Sequence, residues 1–157
     1  MSILALDLGT TTGWASADDK GVRCSGSVSF RHGPNRGSGM RYLLFTQWLE
    51  RMHRFRISQV YYEEVRRHLG VYASHVYGGF LATLTSFCEL HDIPYQGVAV
   101  GTIKKFITGK GNAGKQDVIA AVSEKGYLPA DDNEADALAL LLYVFGLPGA
   151  IPAGGWK

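Results

Sequence analysis

From Ile3 to Leu8 every position is apolar except Asp7, and the chain then turns polar through Gly9-Thr10-Thr11-Thr12-Gly13 before Trp14-Ala15-Ser16-Ala17. A short apolar run, a turn and a second strand-like stretch predict a β-hairpin. After the polar turn Asp18-Asp19-Lys20-Gly21, residues 22–30 alternate well enough for a third strand, so the chain opens as an antiparallel meander. A basic, glycine-rich loop spans 31–39. From Met40 to Phe55 the positions Leu43, Leu44, Trp48, Leu49 and Met52 recur at helical spacing. Residues 57–65, short and rich in Val and Tyr, predict a fourth strand beside the first. A long helical pattern follows over 69–90, with an irregular start near Gly70. Ile93-Pro94-Tyr95 opens a short strand that runs to Val100, and 101–107 reads as a brief helix. The glycine-containing loop 108–114, a helix over 115–125, a break at 126–131 and a final helix over 132–145 complete the pattern. Strands that come first as a meander and then alternate with helices predict an α/β layer with a mixed sheet.

Composition narrows this picture. At 157 residues the chain suits one domain, read here as 1–146, followed by an extended tail over 147–157 that carries two prolines and three glycines. With 46% hydrophobic and 19% charged residues it has the apolar surface a folded core needs. A formal net charge of +2 is too small to announce a nucleic-acid partner, so the distribution of charge must carry that argument. Basic residues gather in 31–41, 51–67 and 104–115, whereas the candidate carboxylates lie in otherwise apolar runs, which permits a positive rim around an acidic pocket. Cys24 and Cys88 are far apart and fit neither a disulfide framework nor a zinc site, which points to a reducing, cytoplasmic setting. No signal peptide is evident, and the longest apolar run, 135–144, is broken by Asp136 and too short for a bilayer, so no membrane partner is expected.

The informative residues are carboxylates in apolar surroundings. Asp7 shares a strand face with Ile3 and Ala5, and a buried carboxylate costs several kcal/mol unless a partner or a metal compensates it. Glu63 and Glu64 interrupt the fourth strand. Period-two alternation lets only one of them share a face with Asp7, and Glu63 is the choice. In Asp131-Asp132-Asn133-Glu134-Ala135-Asp136, Asp132 and Asp136 lie one helical turn apart. An N-cap and an acidic first turn account for Asp131 and Glu134 but poorly for Asp136, which opens an apolar stretch. Asp7, Glu63, Asp132 and Asp136 together make a hard, oxygen-rich set suited to Mg²⁺ or Mn²⁺. Two such ions, about 4 Å apart, are suited to phosphodiester hydrolysis.

Ile3-Leu4-Ala5-Leu6-Asp7-Leu8-Gly9, Tyr62-Glu63-Glu64-Val65 and Glu134-Ala135-Asp136-Ala137-Leu138-Ala139 resemble, in content and order, the acidic motifs of the RuvC-type Holliday junction resolvases of the RNase H-like superfamily. The resemblance extends through Ile103-Lys104 and residues 108–118, where that family carries functional lysines at the positions of Lys104 and Lys115. It implies an RNase H-like α/β fold with a five-stranded mixed sheet flanked by helices. It also implies two Mg²⁺ or Mn²⁺ ions per site and a homodimer that binds four-way DNA junctions and nicks two strands in a bacterial cell or phage-infected host. The commoner family pattern has acids three apart in the last helix, but Asn133 stands three before Asp136, so Asp132 is taken as the third ligand. The Asp-Asp-Asn-Glu-Ala-Asp form looks more like phage-borne relatives. A cation at Lys104 or Lys115 near the scissile phosphate has a physical role in any case, because it would stabilise transition-state charge.

Arg31, Arg36, Arg41, Arg66, Arg67, Lys110 and Lys115 are candidates for contacts to the DNA backbone, and Tyr72, His75 or Tyr77 for stacking on opened bases. Two other readings stand beside this one. Asp7-Leu8-Gly9-Thr10-Thr11-Thr12 also resembles the phosphate loop of the actin and sugar-kinase superfamily, which needs a second domain to enclose a nucleotide. A nuclease of the same fold acting on flaps or RNA–DNA hybrids would share every motif.

Overall fold

A computed structural model describes residues 2–66 and 70–146. Five strands and five helices follow in the order β1 (Ser2–Asp7), β2 (Thr11–Asp18), β3 (Gly21–Ser29), α1 (Met40–His53), β4 (Ile57–Glu64), α2 (Val71–Leu90), β5 (Tyr95–Ala99), α3 (Val100–Thr108), α4 (Lys115–Glu124) and α5 (Asp132–Phe145). The sheet order is β3-β2-β1-β4-β5. The first three strands form the antiparallel meander, while β4 runs parallel to β1 and β5 parallel to β4, so the sheet is mixed and β4 lies beside β1. Thr11-Thr12-Gly13, read from sequence as turn, belongs to β2: β-branched residues suit a pleated strand, and Gly13 is needed there for a reason given below. The expected tail, 147–157, lies outside the described residues.

Alternation along the strands builds two cores. Ile3 and Ala5 of β1, Ala15 and Ala17 of β2 and Tyr61 of β4 face α3, α4 and α5, where Ile103, Val118, Val122, Leu138 and Leu141 cover them. Leu4, Leu6 and Val60 point the other way, against Phe45, Trp48 and Leu49 of α1 and Phe80, Leu84 and Phe87 of α2. On this second face Phe45 packs edge-on to Phe30 and to Phe80, with ring centroids 5.3 and 5.2 Å apart. Each large side chain buried in this way stabilises by about 1.5–3 kcal/mol. The two helices of this layer approach closely because Gly79 has no side chain: a Cβ there would stand 2.3 Å from the Tyr42 ring. Of the small residues on α2, Gly79 thus serves α1, whereas Gly78 has open space before it.

The helix expected from residue 69 is observed from Val71, and the positions just before Gly70 lie outside the described residues. Among the described residues no helix is long and apolar enough to cross a membrane.

Candidate active site

Asp7 is the last residue of β1, and its neighbours follow from the register. On one side it pairs with Gly13 of β2. On the other, the parallel pairing with β4 ends at Leu6 and Tyr62, so the next step along both strands sets Asp7 beside Glu63. Because Ile3 and Ala5 face α5, alternation turns Asp7 the same way. Glu63 follows Tyr61 onto that face and is buried, while Glu64 lies on the opposite face, where Arg66 pairs with it at 3.1 Å near the surface.

The third component is the start of α5, which β2 admits at very short range. A Cβ on Gly13 would lie 1.8 Å from the carbonyl oxygen of Asn133, so only glycine lets the first turn of α5 rest on the backbone next to Asp7. Strand β3 holds the turn from the side. Asp131 caps the helix, its Oδ1 accepting the Glu134 amide at 2.8 Å, and its Oδ2 accepts the Ser27 hydroxyl. The buried Glu134 carboxylate accepts the Ser25 hydroxyl at 2.6 Å and the Ala130 amide at 2.8 Å. Glu134 is therefore turned away from Asp7, while Asp132 and Asp136 are turned toward it.

The four carboxylates act on one another electrostatically. The Asp7 carboxyl is held well above its usual range, first by burial, then by the charges of Glu63, Asp136 and Asp132, against a smaller opposing pull from Lys115. Burial, with Asp136 next, pushes Glu63 up to about 7, and Lys104 opposes this. Burial pushes Asp136 up to about 6; Lys104 and Lys115 resist while Asp132 adds to it. Asp132 behaves oppositely. Its carboxylate accepts a hydrogen bond from the Lys115 ammonium, which holds Asp132 below its ordinary value and raises Lys115 above its own. Lys115 stands at the first residue of α4, where the helix dipole disfavours a cation, and the Asp132 carboxylate supplies the compensation.

Asp7, Glu63, Asp132, Asp136, Lys104 and Lys115 thus share one electrostatic neighbourhood. Among the described residues no three His, Cys, Asp or Glu side chains are drawn in far enough to hold one ion as they stand. The donor set fits a hard divalent cation: all carboxylate oxygens, with more negative charge than the two lysines neutralise, and with Asp7, Glu63 and Asp136 all raised by burial first and by neighbouring carboxylates next.

The other candidates are dispersed. Arg31 and Arg36 are exposed on the loop 31–39, Arg66 is exposed beside Glu64, and Lys110 is exposed on the loop after α3. Arg67 lies outside the described residues. Arg41 differs from the surface position expected of a backbone contact: it is only 8% exposed. Tyr77, a candidate for base stacking, is buried instead, its hydroxyl donating to the Glu63 carbonyl at 2.9 Å and so steadying the strand that carries Glu63. Tyr72 is exposed at 71%. Sequence reasoning missed the supports of the site, Gly13, Ser25 and Ser27. Period-two spacing of the two serines was visible, but nothing local says that their face meets α5.

Two solved structures of Thermus thermophilus RuvC are similar to this chain. One superposes with a TM-score of 0.72 and the other, in complex with Holliday junction substrate, with 0.76; both are 24% identical and match 90% of this chain and 92% and 91% of theirs. The yeast mitochondrial Holliday junction resolvase Ydc2 superposes at 0.59 and 12% identity, over 88% of this chain and 75% of its own. No family model and no curated protein matches the sequence. At these identities the shared property is the fold, an RNase H-like mixed sheet of five strands flanked by helices.

Proposed function

We propose that this chain is a metal-dependent endonuclease that cuts branched DNA, with four-way junctions as the first substrate to test. The observation that carries the reading is the convergence of Asp7, Glu63 and Asp136, three carboxyls raised by burial and by neighbouring acidic charge, with Lys104 and Lys115 beside them. Structural carboxylates are normally paired or solvated; an acidic cluster maintained inside a fold serves a cation. The fold similarity to RuvC, including a form bound to Holliday junction substrate, and to Ydc2 supports the choice of DNA and of junctions.

Asp7, Glu63, Asp132 and Asp136 would hold two Mg²⁺ or Mn²⁺ ions. Such ions supply Lewis acidity to the attacked phosphate and to the oxygens that enter and leave it. The protein's part is placement. Asp7 and Glu63 stand on adjacent parallel strands, and Asp136 on a helix pinned to β2 and β3, so no ligand depends on a loop. Lys104 and Lys115 place positive charge beside the carboxylates, where the phosphate gains charge in its transition state. Exposed Arg31, Arg36, Arg66 and Lys110 would hold the flanking backbone. Arg67 belongs to the same basic stretch, and a homodimer in the bacterial or phage-infected cytoplasm completes the proposal, since paired nicks require two sites.

Incubation of labelled four-way junction, flap, duplex and RNA–DNA hybrid with Mg²⁺, Mn²⁺ or EDTA tests this directly. Metal-dependent, symmetric nicking of the junction is expected. Asp7→Asn should abolish it while leaving folding and junction binding intact; cleavage retained by that variant would end the mechanism. Cutting confined to flaps or hybrids would keep the nuclease and replace its substrate.

A further inference from the structure

The second residue of α1, Arg41, is a buried cation that pairs with no carboxylate among the described residues. Its Nη1 donates to Thr10 Oγ1 at 3.4 Å, and its Nη2 lies 3.2 Å from the Tyr72 hydroxyl and 3.4 Å from His32 Nε2. With Nδ1 donating to the Gly33 carbonyl at 3.2 Å, the His32 ring offers Nε2 as an acceptor. None of these partners is a carboxylate. The Nε atom of Arg41 is buried and has no hydrogen-bond partner among the described residues. A guanidinium cannot escape burial by losing its proton, and an uncompensated charge at 8% exposure is costly.

The surroundings make the deficit larger. α1 begins at Met40 and α2 at Val71, so Arg41 and Tyr72 bring the positive ends of two long helices to the same place. Neither helix has a side-chain cap or an acidic residue in its first turn. The loop 31–39 that leads into α1 carries His32 and the exposed Arg31 and Arg36. Thr10 is three residues beyond Asp7, in the turn between β1 and β2, at the end of the strand that carries the carboxylate.

We propose that Arg41, with Thr10, His32 and Tyr72 around it, forms the floor of a phosphate seat that receives a non-scissile backbone phosphate of the DNA strand being cut. An anion there would satisfy the guanidinium and both helix ends together. The proposal rests on the nuclease reading, and its test separates the two.

Junction binding is measured in EDTA against salt for wild type, Arg41→Met and Arg41→Lys, using strands with single neutral methylphosphonates stepped along the backbone. Thermal unfolding is measured with inorganic phosphate against chloride of equal ionic strength. Arg41→Met should lower affinity roughly tenfold or more and reduce the log–log salt slope by about 0.9, the release expected for one phosphate. One methylphosphonate position should weaken wild type and leave Arg41→Met unaffected. Arg41→Lys, which keeps the charge without the fork, should keep the slope and bind more weakly; this variant serves if Arg41→Met does not fold. Phosphate should stabilise wild type more than Arg41→Met, which in chloride should be no less stable, as expected when an unpaired buried charge is removed. If wild type cuts junctions and neither binding nor phosphate stabilisation depends on Arg41, the seat is refuted and the nuclease stands. If no DNA is cut yet phosphate stabilisation still needs Arg41, the nuclease reading fails and the assignment of the seat to a DNA strand falls with it.

Discussion

Replacing Glu63 by Gln should make the metal-free protein more stable at pH 8 while destroying its activity. Glu63 is buried, and its carboxyl titrates at about 7 against an ordinary value of 4.5, raised by burial and by Asp136. A carboxyl with a raised folded value binds its proton more tightly folded than unfolded. Its penalty is therefore absent at low pH, grows as pH rises through the interval from 4.5 to about 7, and is complete above it. At about 1.4 kcal/mol for each tenfold difference in proton affinity, the full penalty is about 3 kcal/mol. Glutamine matches protonated glutamate in shape and has no charge to bury. The variant should thus differ from wild type by less than about 1 kcal/mol at pH 5 and exceed it by about 3 kcal/mol at pH 8, which corresponds to a rise of roughly 6–12 °C in Tm for a chain of this size. Urea unfolding in EDTA at both pH values measures this. Saturating Mg²⁺ should close the gap by stabilising wild type alone. Parallel stabilities for the two proteins across pH would refute the reasoning, because they would mean that Glu63 carries no electrostatic strain.

Four further substitutions probe how the site is built. Gly13→Ala forces a methyl into the Asn133 carbonyl and should cost about 2 kcal/mol or more in thermal unfolding while abolishing cleavage, since α5 must move off β2; wild-type stability in that variant would contradict the contact. Ser25→Ala removes a hydrogen bond to the buried Glu134 carboxylate and should cost about 1.5–3 kcal/mol in urea unfolding. Asp132→Ala and Asn133→Ala, compared in a nicking assay, decide the third ligand: activity lost only in the Asn133 variant would move the site by one residue.

Much of the fold could be read in advance because its signals are local. Residues 57–65 read as a strand from their Val and Tyr content, and 132–145 as a helix from its cap and apolar run; both occur with nearly those bounds. Alternation says that only one of Glu63 and Glu64 shares a face with Asp7, and the β1–β4 register puts Glu63 there. What escaped depends on contacts between distant segments. Arg41 reads as one more basic residue in a basic stretch, and only the meeting of α1, α2 and the β1–β2 turn buries it. Tyr77 looks like any aromatic on a helix until its hydroxyl is found on the Glu63 carbonyl. Gly13 sits in a Gly-Thr turn signature that explains a glycine cheaply, so its use as a landing for α5 is invisible without the partner.

That landing joins main chain to main chain. Spacing between the Asp7 strand and the Asp136 helix is consequently set by peptide groups in van der Waals contact, a distance that repacking nearby side chains cannot adjust. If the proposed ions sit here, retuning the centre for a larger one would leave the carboxylate lengths to work with, Asp against Glu, and little else.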